Sequence, residues 1–358
     1  MREKLIYLLF LLILFSSCEE YYTPNIDIID GQLVVEAQIT NNQSKNFIHL
    51  TKTLSFYDKK QPGVVSGAKV ELVEINGKVI PGIESGPGYF NFNTVPVNGK
   101  NYKLRIIFQN NTYESEVVTM PPLPTILDAY SENKVKRVYN TDAYGTPLAY
   151  DTEGRDIYVD APVSDALSHY RFSTRAILEW YYTIPETGPP PPGGPPPPPA
   201  TIYGWQSYSD NKKFNLAGPK KFSQTNIVEK NPLFWLAYNA QYYLYTDTLV
   251  PSGWILIIDQ YGTSKGSFDF HEKLNSQFAA DGSLFDPIQT QIYGNITCKT
   301  DPSKIVFGYF DLNSYRQYRY YTNLYLQEND IKLRQIFRYP DIPYEGQIKG
   351  LSPDWWER

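Results

Sequence analysis

Apolar and polar residues alternate along much of the first third of the chain. In residues 33–40 and 102–108, every second residue is apolar, which is the pattern of a strand with one face against a core. Asn76-Gly77 separates two such runs and is a strong hairpin signal, because both residues tolerate a positive φ. Short strands, frequent turns and the lack of a helical period predict a β-sandwich over residues 31–122.

A proline cluster follows the alternating region. Met120-Pro121-Pro122-Leu123-Pro124 cannot continue a central strand, so we place a domain boundary there. Further strand-like runs predict a larger antiparallel β domain over residues 123–358. One short helix is predicted over Ser267–Ala280, with Phe270, Leu274 and Phe278 sharing its apolar face and Asp281-Gly282 ending it.

Residues 185–199 form a proline-rich segment inside the second domain. The flanking sequences LEWYYTI and ATIYGW both have the composition of strands. The segment is therefore predicted to be a loop at the end of a hairpin. Two roles stay open for it, a ligand for an aromatic groove and a solvated insertion without a partner.

The N-terminus carries the clearest targeting signal. Arg2 and Lys4 precede an apolar run over 5–15, which is too short to span a bilayer but suits a secretory signal. The small residues Ser16 and Ser17 follow the run and lead directly to Cys18, as in a lipoprotein signal. We predict a signal peptide over 1–17, lipidation of Cys18 and a lipidated tether over 18–30. An ordinary signal peptide with an incidental cysteine is the alternative.

Glu19 and Glu20 follow the cysteine directly. An acidic pair at this place resembles the surface-export signal of Bacteroidota lipoproteins, and a solvated tether is the alternative interpretation. The predicted location is the outer membrane, with the lipid-anchored protein facing the cell exterior.

Composition narrows the functional classes. The net charge of −5 and the lack of a basic block argue against nucleic acid as a partner. Three histidines without ligand spacing predict no metal site, and we predict no cofactor. Cys298, the other cysteine, is predicted to be a strand residue.

Catalytic motifs are also missing. The sequence Gly262-Thr263-Ser264-Lys265-Gly266 matches G-x-S-x-G, but the surrounding chain lacks the strand–helix alternation of a nucleophile elbow, so we interpret it as a turn. No catalytic residue is assigned, and the chain is predicted not to be an enzyme. A pair of carboxylates far apart in the sequence stays open as an alternative.

Tyrosine is the most unusual component, with 31 residues. Tyrosine and arginine are enriched at interfaces, and the segment 315–321 concentrates both. Its predicted interface residues are Tyr315, Arg316, Tyr318, Arg319, Tyr320 and Tyr321. Strand packing and a glycan platform are the alternative roles for such tyrosines.

Several blocks in one order resemble a known family. They are LVVEAQIT (33–40), HLTKT (49–53), SGAKVELVEINGK (66–78), GPGYFNF (86–92), GKNYKLRI (99–106), YESEVVTMPPLP (113–124), GSLFDPIQTQIYGNI (282–296) and VFGYFDLNSY (306–315). The chain resembles the DUF4249 family of Bacteroidota outer-membrane lipoproteins, whose function is undefined. The proline-rich segment departs from the family pattern.

This resemblance implies an outer-membrane lipoprotein of the kind encoded beside TonB-dependent transporters, and an N-terminal sandwich of the prealbumin or immunoglobulin type. The expected function is that of a binding accessory of a TonB-dependent nutrient transporter. A structural or adhesive surface lipoprotein without a transport role is the alternative.

Overall fold

The computed structural model describes residues 31–54, 61–141, 145–184, 200–209, 214–219, 226–237, 250–279, 291–322, 332–335 and 345–349. These residues are mostly in β-strands, with one α-helix, so the predicted all-β class is confirmed. The predicted signal peptide, the predicted tether and the proline-rich segment lie outside the described residues.

Twenty strands and one helix are described. In chain order they are β1 Leu33–Thr40, β2 Phe47–Lys52, β3 Lys69–Glu74, β4 Val79–Pro81, β5 Ile83–Gly86, β6 Tyr89–Asn91, β7 Asn101–Phe108, β8 Asn111–Ser115, β9 Val118–Thr119, β10 Asp128–Thr141, β11 Pro147–Pro162, β12 His169–Ile184, β13 Ala200–Ser209, β14 Asn215–Ala217, β15 Ile227–Ala237, β16 Val250–Thr263, α1 Lys265–Phe278, β17 Ile296–Cys298, β18 Val306–Thr322, β19 Lys332–Gln335 and β20 Glu345–Lys349.

The described strands form three sheets. An eleven-stranded sheet has the order β20-β13-β12-β16-β18-β1-β2-β6-β5, with β14 on β12 and β19 on β18. A six-stranded sheet has the order β17-β8-β7-β3-β4, with β9 on β7, and a three-stranded sheet has the order β10-β11-β15. The large sheet therefore contains strands from both ends of the described chain.

The first core lies between the large sheet and the six-stranded sheet. Alternate apolar residues of β1 and β7, such as Val35, Ile39 and Leu104, are almost completely buried in it. The predicted hairpin at Asn76 is confirmed, because β3 pairs with β4 and Asn76 has a φ of 58°. The period-two pattern thus correctly predicts a two-layer β core.

This core is not built from residues 31–122 alone. β1 pairs in parallel with β18, β17 pairs with β8, and Ile296, Phe310 and Leu312 are buried in the same cluster. The proline cluster at 120–124 interrupts the strands as predicted, but the packed core crosses the predicted boundary.

The second core lies between the large sheet and the three-stranded sheet. It contains Leu256 and Ile258 of β16, Val159 of β11, and Tyr318 and Tyr320 of β18. The first half of β18 therefore packs in the first core and the second half in the second core. The single strand β18 thus connects the two cores.

The hairpin predicted around the proline-rich segment is present. β12 and β13 pair antiparallel up to Ile184↔Ala200, the residues that border the segment on each side. The flanking strands thus bring the two ends of the segment next to each other.

Two glycines mark a close backbone contact beside β18. Gly308 has a φ of +87°, and a Cβ atom placed on it would lie 2.0 Å from the carbonyl oxygen of Val35. A Cβ atom on Gly294 would lie 1.6 Å from the carbonyl oxygen of Gly308. Because glycine has no Cβ atom, the backbone segments that contain Val35, Gly294 and Gly308 can approach one another this closely.

Candidate functional site

A polar face covers the centre of the large sheet, on the side opposite the second core. β12, β16 and β18 are adjacent there, and their register forms two rows across the strands. One row is Arg171, Tyr261 and Tyr315, and the next is Ser173, Asp259 and Gln317. We call these six residues the polar face. Directly opposed side chains in an antiparallel sheet share a face, so the rows form one surface.

Asp259 organises the second row. Its Oδ1 atom accepts hydrogen bonds from the Tyr315 hydroxyl at 2.7 Å and from Gln317 Nε2 at 2.6 Å. Its Oδ2 atom lies 2.7 Å from Lys45 Nζ. Both carboxylate oxygens therefore bind donors from this chain.

Lys45 reaches the polar face from the first sandwich. It ends a short 3-10 turn over Gln43–Lys45 that joins β1 to β2, and Asn42 caps the turn by accepting from Ser44 N at 3.1 Å. Gln38 Nε2 donates to the Lys45 carbonyl at 2.8 Å and fixes the turn against β1. Side chains from both halves of the molecule thus meet here.

Two cations lie over neighbouring tyrosine rings. Lys45 Nζ is 5.2 Å from the centroid of Tyr315, and Arg171 Cζ is 4.8 Å from the centroid of Tyr261. The two rings are 5.2 Å apart, and Arg171 also donates to the Gln38 side-chain oxygen. Burial, together with the nearby Asp259 carboxylate, raises the pKa of Tyr261.

The residues of the predicted interface divide between the two faces of β18. Tyr318 and Tyr320 are buried in the second core, at 4% and 0% exposure. Tyr315 and Arg319 lie on the opposite face, but they too are buried, at 4% and 3% exposure. Only Arg316 and Tyr321 are partly exposed.

This burial corrects the prediction for Tyr315, Tyr318, Arg319 and Tyr320. Over these residues β18 pairs with β16 on one edge and, from Tyr318 to Tyr321, with β19 on the other, and the second core covers Tyr318 and Tyr320. The tyrosines there pack within the sheets, which was the alternative role.

The G-x-S-x-G segment is a strand-to-helix turn. Ser264 is the N-cap of α1, and its hydroxyl accepts a hydrogen bond from Ser267 N at 3.2 Å. This bond satisfies one of the free N–H groups at the start of the helix. Thr263 ends β16 and Lys265 begins α1, so the motif lies at a strand–helix junction, and the predicted helix is confirmed but begins two residues earlier than expected.

The predicted apolar face of α1 is correct only in part, because Phe270 stacks on Tyr309 with 4.6 Å between ring centroids and Leu274 is half-buried, but Phe278 is exposed. The buried residues of the helix are Ser267 and His271, whereas Phe278 is 50% exposed. Ser267 and His271 face Asp311 of β18, which is 6% exposed. Sequence periodicity could not find this face, because its buried positions are polar.

Ser267, His271 and Asp311 form a closed polar cluster under the helix. The Ser267 hydroxyl donates to Asp311 Oδ1 and is 3.5 Å from His271 Nδ1. His271 Nδ1 lies 2.9 Å from the Ser267 carbonyl, which assigns a proton to Nδ1, and Nε2 lies 3.4 Å from Asp311 Oδ2. The serine bonds to the carboxylate and not to the imidazole, so the geometry is not that of a nucleophile with its base.

Two histidines at the helix have lowered pKa values. Burial lowers the pKa of His271, and Arg171 lowers it further, while Asp311 and the Ser267 carbonyl act in the opposite direction. Burial against α1, and then Lys265, lower the pKa of His169, while Asp269 and Glu272 raise it. His169 packs edge-on against Phe268, with the ring centroids 4.8 Å apart. Both side chains therefore favour the neutral form in the folded protein.

We expect the free energy of unfolding to decrease as the pH falls below about 6.5, the ordinary pKa of histidine. The unfolded chain binds these protons more readily than the folded chain, so acid favours unfolding. Urea unfolding at a series of pH values between 7.5 and 5.5 measures how steeply the free energy of unfolding changes with pH. The double variant His169→Gln, His271→Gln should flatten this dependence, and an unchanged slope in that variant would contradict the assignment.

Other predicted positions are located as follows. Cys18, Glu19 and Glu20 lie outside the described residues. Cys298 is buried in β17, as its strand assignment predicts. In the part of the chain that the structure describes, no three His, Cys, Asp or Glu side chains come together to hold a metal ion. Among the same residues, no helix is long and apolar enough to cross a membrane.

Sequence analysis did not select Lys45, Arg171 or Asp259. Asp259 follows the apolar run 254–258, and a carboxylate at the end of such a strand is a usable signal. The sequence around Lys45 does not indicate its role, because its ion-pair partner Asp259 is far away in the sequence.

The described residues form an all-β protein whose two larger cores share the strand β18. The chain belongs to the family described as a domain of unknown function, DUF4249, which matches residues 19–330. No curated protein and no solved structure matches the chain significantly.

Proposed function

We propose that this chain is a surface-exposed outer-membrane lipoprotein that serves as a binding accessory of a TonB-dependent nutrient transporter. The apolar run before Cys18 and the acidic pair Glu19-Glu20 support the location. A lipid anchor would hold the body beside proteins of the same membrane, which favours a membrane partner over a freely diffusing one.

The observation that carries the proposal of a protein partner is an exposed face on the β10–β11 hairpin. Near the base of the hairpin, Ile157 and Val159 point into the second core. Farther along, the same face of the two strands is exposed, and it carries Val135, Arg137, Tyr139, Ala149, Asp151 and Glu153. We call these six residues the distal face.

The distal face has the composition of a contact surface. Tyr139 is 78% exposed and Val135 is 60% exposed, and both point to the same side of β10. Arg137 forms an ion pair with Asp151 across the hairpin, with 2.8 Å between Nε and Oδ1. Exposed apolar side chains framed by charged ones are typical of protein interaction sites. The distal face thus replaces residues 315–321 as the candidate surface for the transporter.

Native pull-down tests this proposal. The protein is purified from its own outer membrane in mild detergent after crosslinking, and co-purifying proteins are identified by mass spectrometry. We expect a TonB-dependent transporter with the unmodified chain. The double variant Val135→Ser, Tyr139→Ser should lose most of that transporter, because aromatic side chains contribute strongly to interfaces.

Two controls separate docking from other effects. Val97→Ser with Tyr293→Ser changes a valine and a tyrosine that are 53% and 59% exposed elsewhere, and should retain the transporter. Cys18→Ala should abolish fatty-acid labelling and membrane anchoring. If the unmodified chain recovers no transporter, the adhesive or structural alternative replaces the accessory role.

A further inference from the structure

Arg171 is a partly exposed cation of the polar face whose described contacts are with neutral groups. Lys45 and Arg171 lie over the adjacent rings of Tyr315 and Tyr261, and Asp259 pairs with Lys45. The described contacts of Arg171 are neutral groups, the Gln38 side-chain oxygen and the Tyr261 ring. Within the described ranges, no carboxylate lies at ion-pair distance from Arg171.

Asp259 and Asp311 both accept hydrogen bonds from other groups, so neither is available to form an ion pair with Arg171. Asp259 already accepts from Lys45, Tyr315 and Gln317. Asp311 accepts from Ser267 beside His271, under the helix. Arg171 instead contributes positive potential that lowers the pKa of His271.

The remaining hydrogen-bonding groups at this place are accessible donors. Arg171 is partly exposed, and Ser173, two residues along the same face of β12, is exposed. The Lys45 side chain is 30% exposed. A guanidinium group has five N–H donors in a planar fork, which matches the two oxygens of a carboxylate. A carboxylate would match the fork of Arg171.

We propose that Arg171, with Ser173 and Lys45, forms a binding site for a carboxylate-bearing ligand. Arg171 binds the carboxylate through its fork, Lys45 adds positive charge, and the Ser173 hydroxyl donates to a second acceptor of the ligand. Gln38 positions the site, because its amide contacts both Arg171 and the Lys45 carbonyl. The site does not depend on the proposed transporter role.

Calorimetric titration of the full-length protein in detergent tests the site. The probes are glucuronate as a sugar acid, succinate as a dicarboxylic acid, glucose as the neutral control and sulfate as an unrelated anion. We expect one or both carboxylates to bind and glucose not to bind. If glucuronate binds more tightly than succinate, the ligand is a sugar acid, and the reverse order indicates a dicarboxylic acid.

Arg171→Met should weaken carboxylate binding by about tenfold or more, because charge-assisted hydrogen bonds are lost. The control Lys78→Met removes an exposed cation at the turn between β3 and β4, outside both proposed surfaces, and should leave binding unchanged. If Arg171→Met does not fold, the variant Arg171→Lys tests the site instead. Lysine keeps the positive charge but lacks the planar fork, so this variant should bind the carboxylate more weakly than the unmodified chain. Lack of carboxylate binding, equal binding of sulfate, or binding unaffected by the Arg171 variants would overturn the proposal.

Discussion

Gly308→Ala should destabilise the protein by about 4 kcal/mol or more, or prevent folding altogether. Gly308 has a φ of +87°, which an alanine adopts only with strain. The added Cβ would lie 2.0 Å from the Val35 carbonyl oxygen, and that oxygen belongs to the backbone of the paired strand β1. Relief would require β1 and β18 to separate within the first core. Urea unfolding monitored by tryptophan fluorescence measures the loss.

Gly86→Ala is the matched control for this change. Gly86 lies at the end of β5 without a positive φ, and a Cβ atom added to it would meet no atom within 4 Å. Its substitution should change the free energy of unfolding by about 0.5 kcal/mol or less. Equal stability of the Gly308 and Gly86 variants would contradict the close contact between β1 and β18.

Tyr320→Ala should cost about 3–5 kcal/mol of stability, the usual range for removing a large buried aromatic ring. Tyr320 has 0% exposure and packs in the second core beside Leu256 and Ile258. Its removal would leave a cavity between the large sheet and the three-stranded sheet. Thermal and urea unfolding of the purified variant measure the cost.

Tyr139→Ala gives the comparison on an exposed strand. Tyr139 is 78% exposed on β10, so its loss should change stability by only about 0.5 kcal/mol while weakening partner capture. The opposite pattern, a stable Tyr320 variant that loses its partner, would restore the interface prediction for residues 315–321.

The local pattern of the sequence predicted much of the secondary structure. Alternation predicted the strands of the first sandwich, Asn76-Gly77 its hairpin, and the residues around 185–199 the pairing of β12 with β13. These features depend on side-chain periodicity and turn geometry within short segments. They are therefore readable without knowledge of distant contacts.

The candidate sites were less predictable. The tyrosines of 315–321 were predicted to be surface residues, because composition does not reveal that β18 has neighbours on both edges. The α1 face was only partly predicted, because its fully buried residues, Ser267 and His271, contact Asp311, and hydrophobic periodicity does not detect a polar contact.

The sequence by itself determined the all-β class, the hairpins, the helix and the family of this protein, because each depends on residues close together in the chain. Only the tertiary structure decided that β1 pairs with β18 and that Lys45 and Arg171 meet on one face. The physical reason is that these contacts join segments far apart in sequence. Their geometry follows from how whole sheets pack, and no local pattern encodes it.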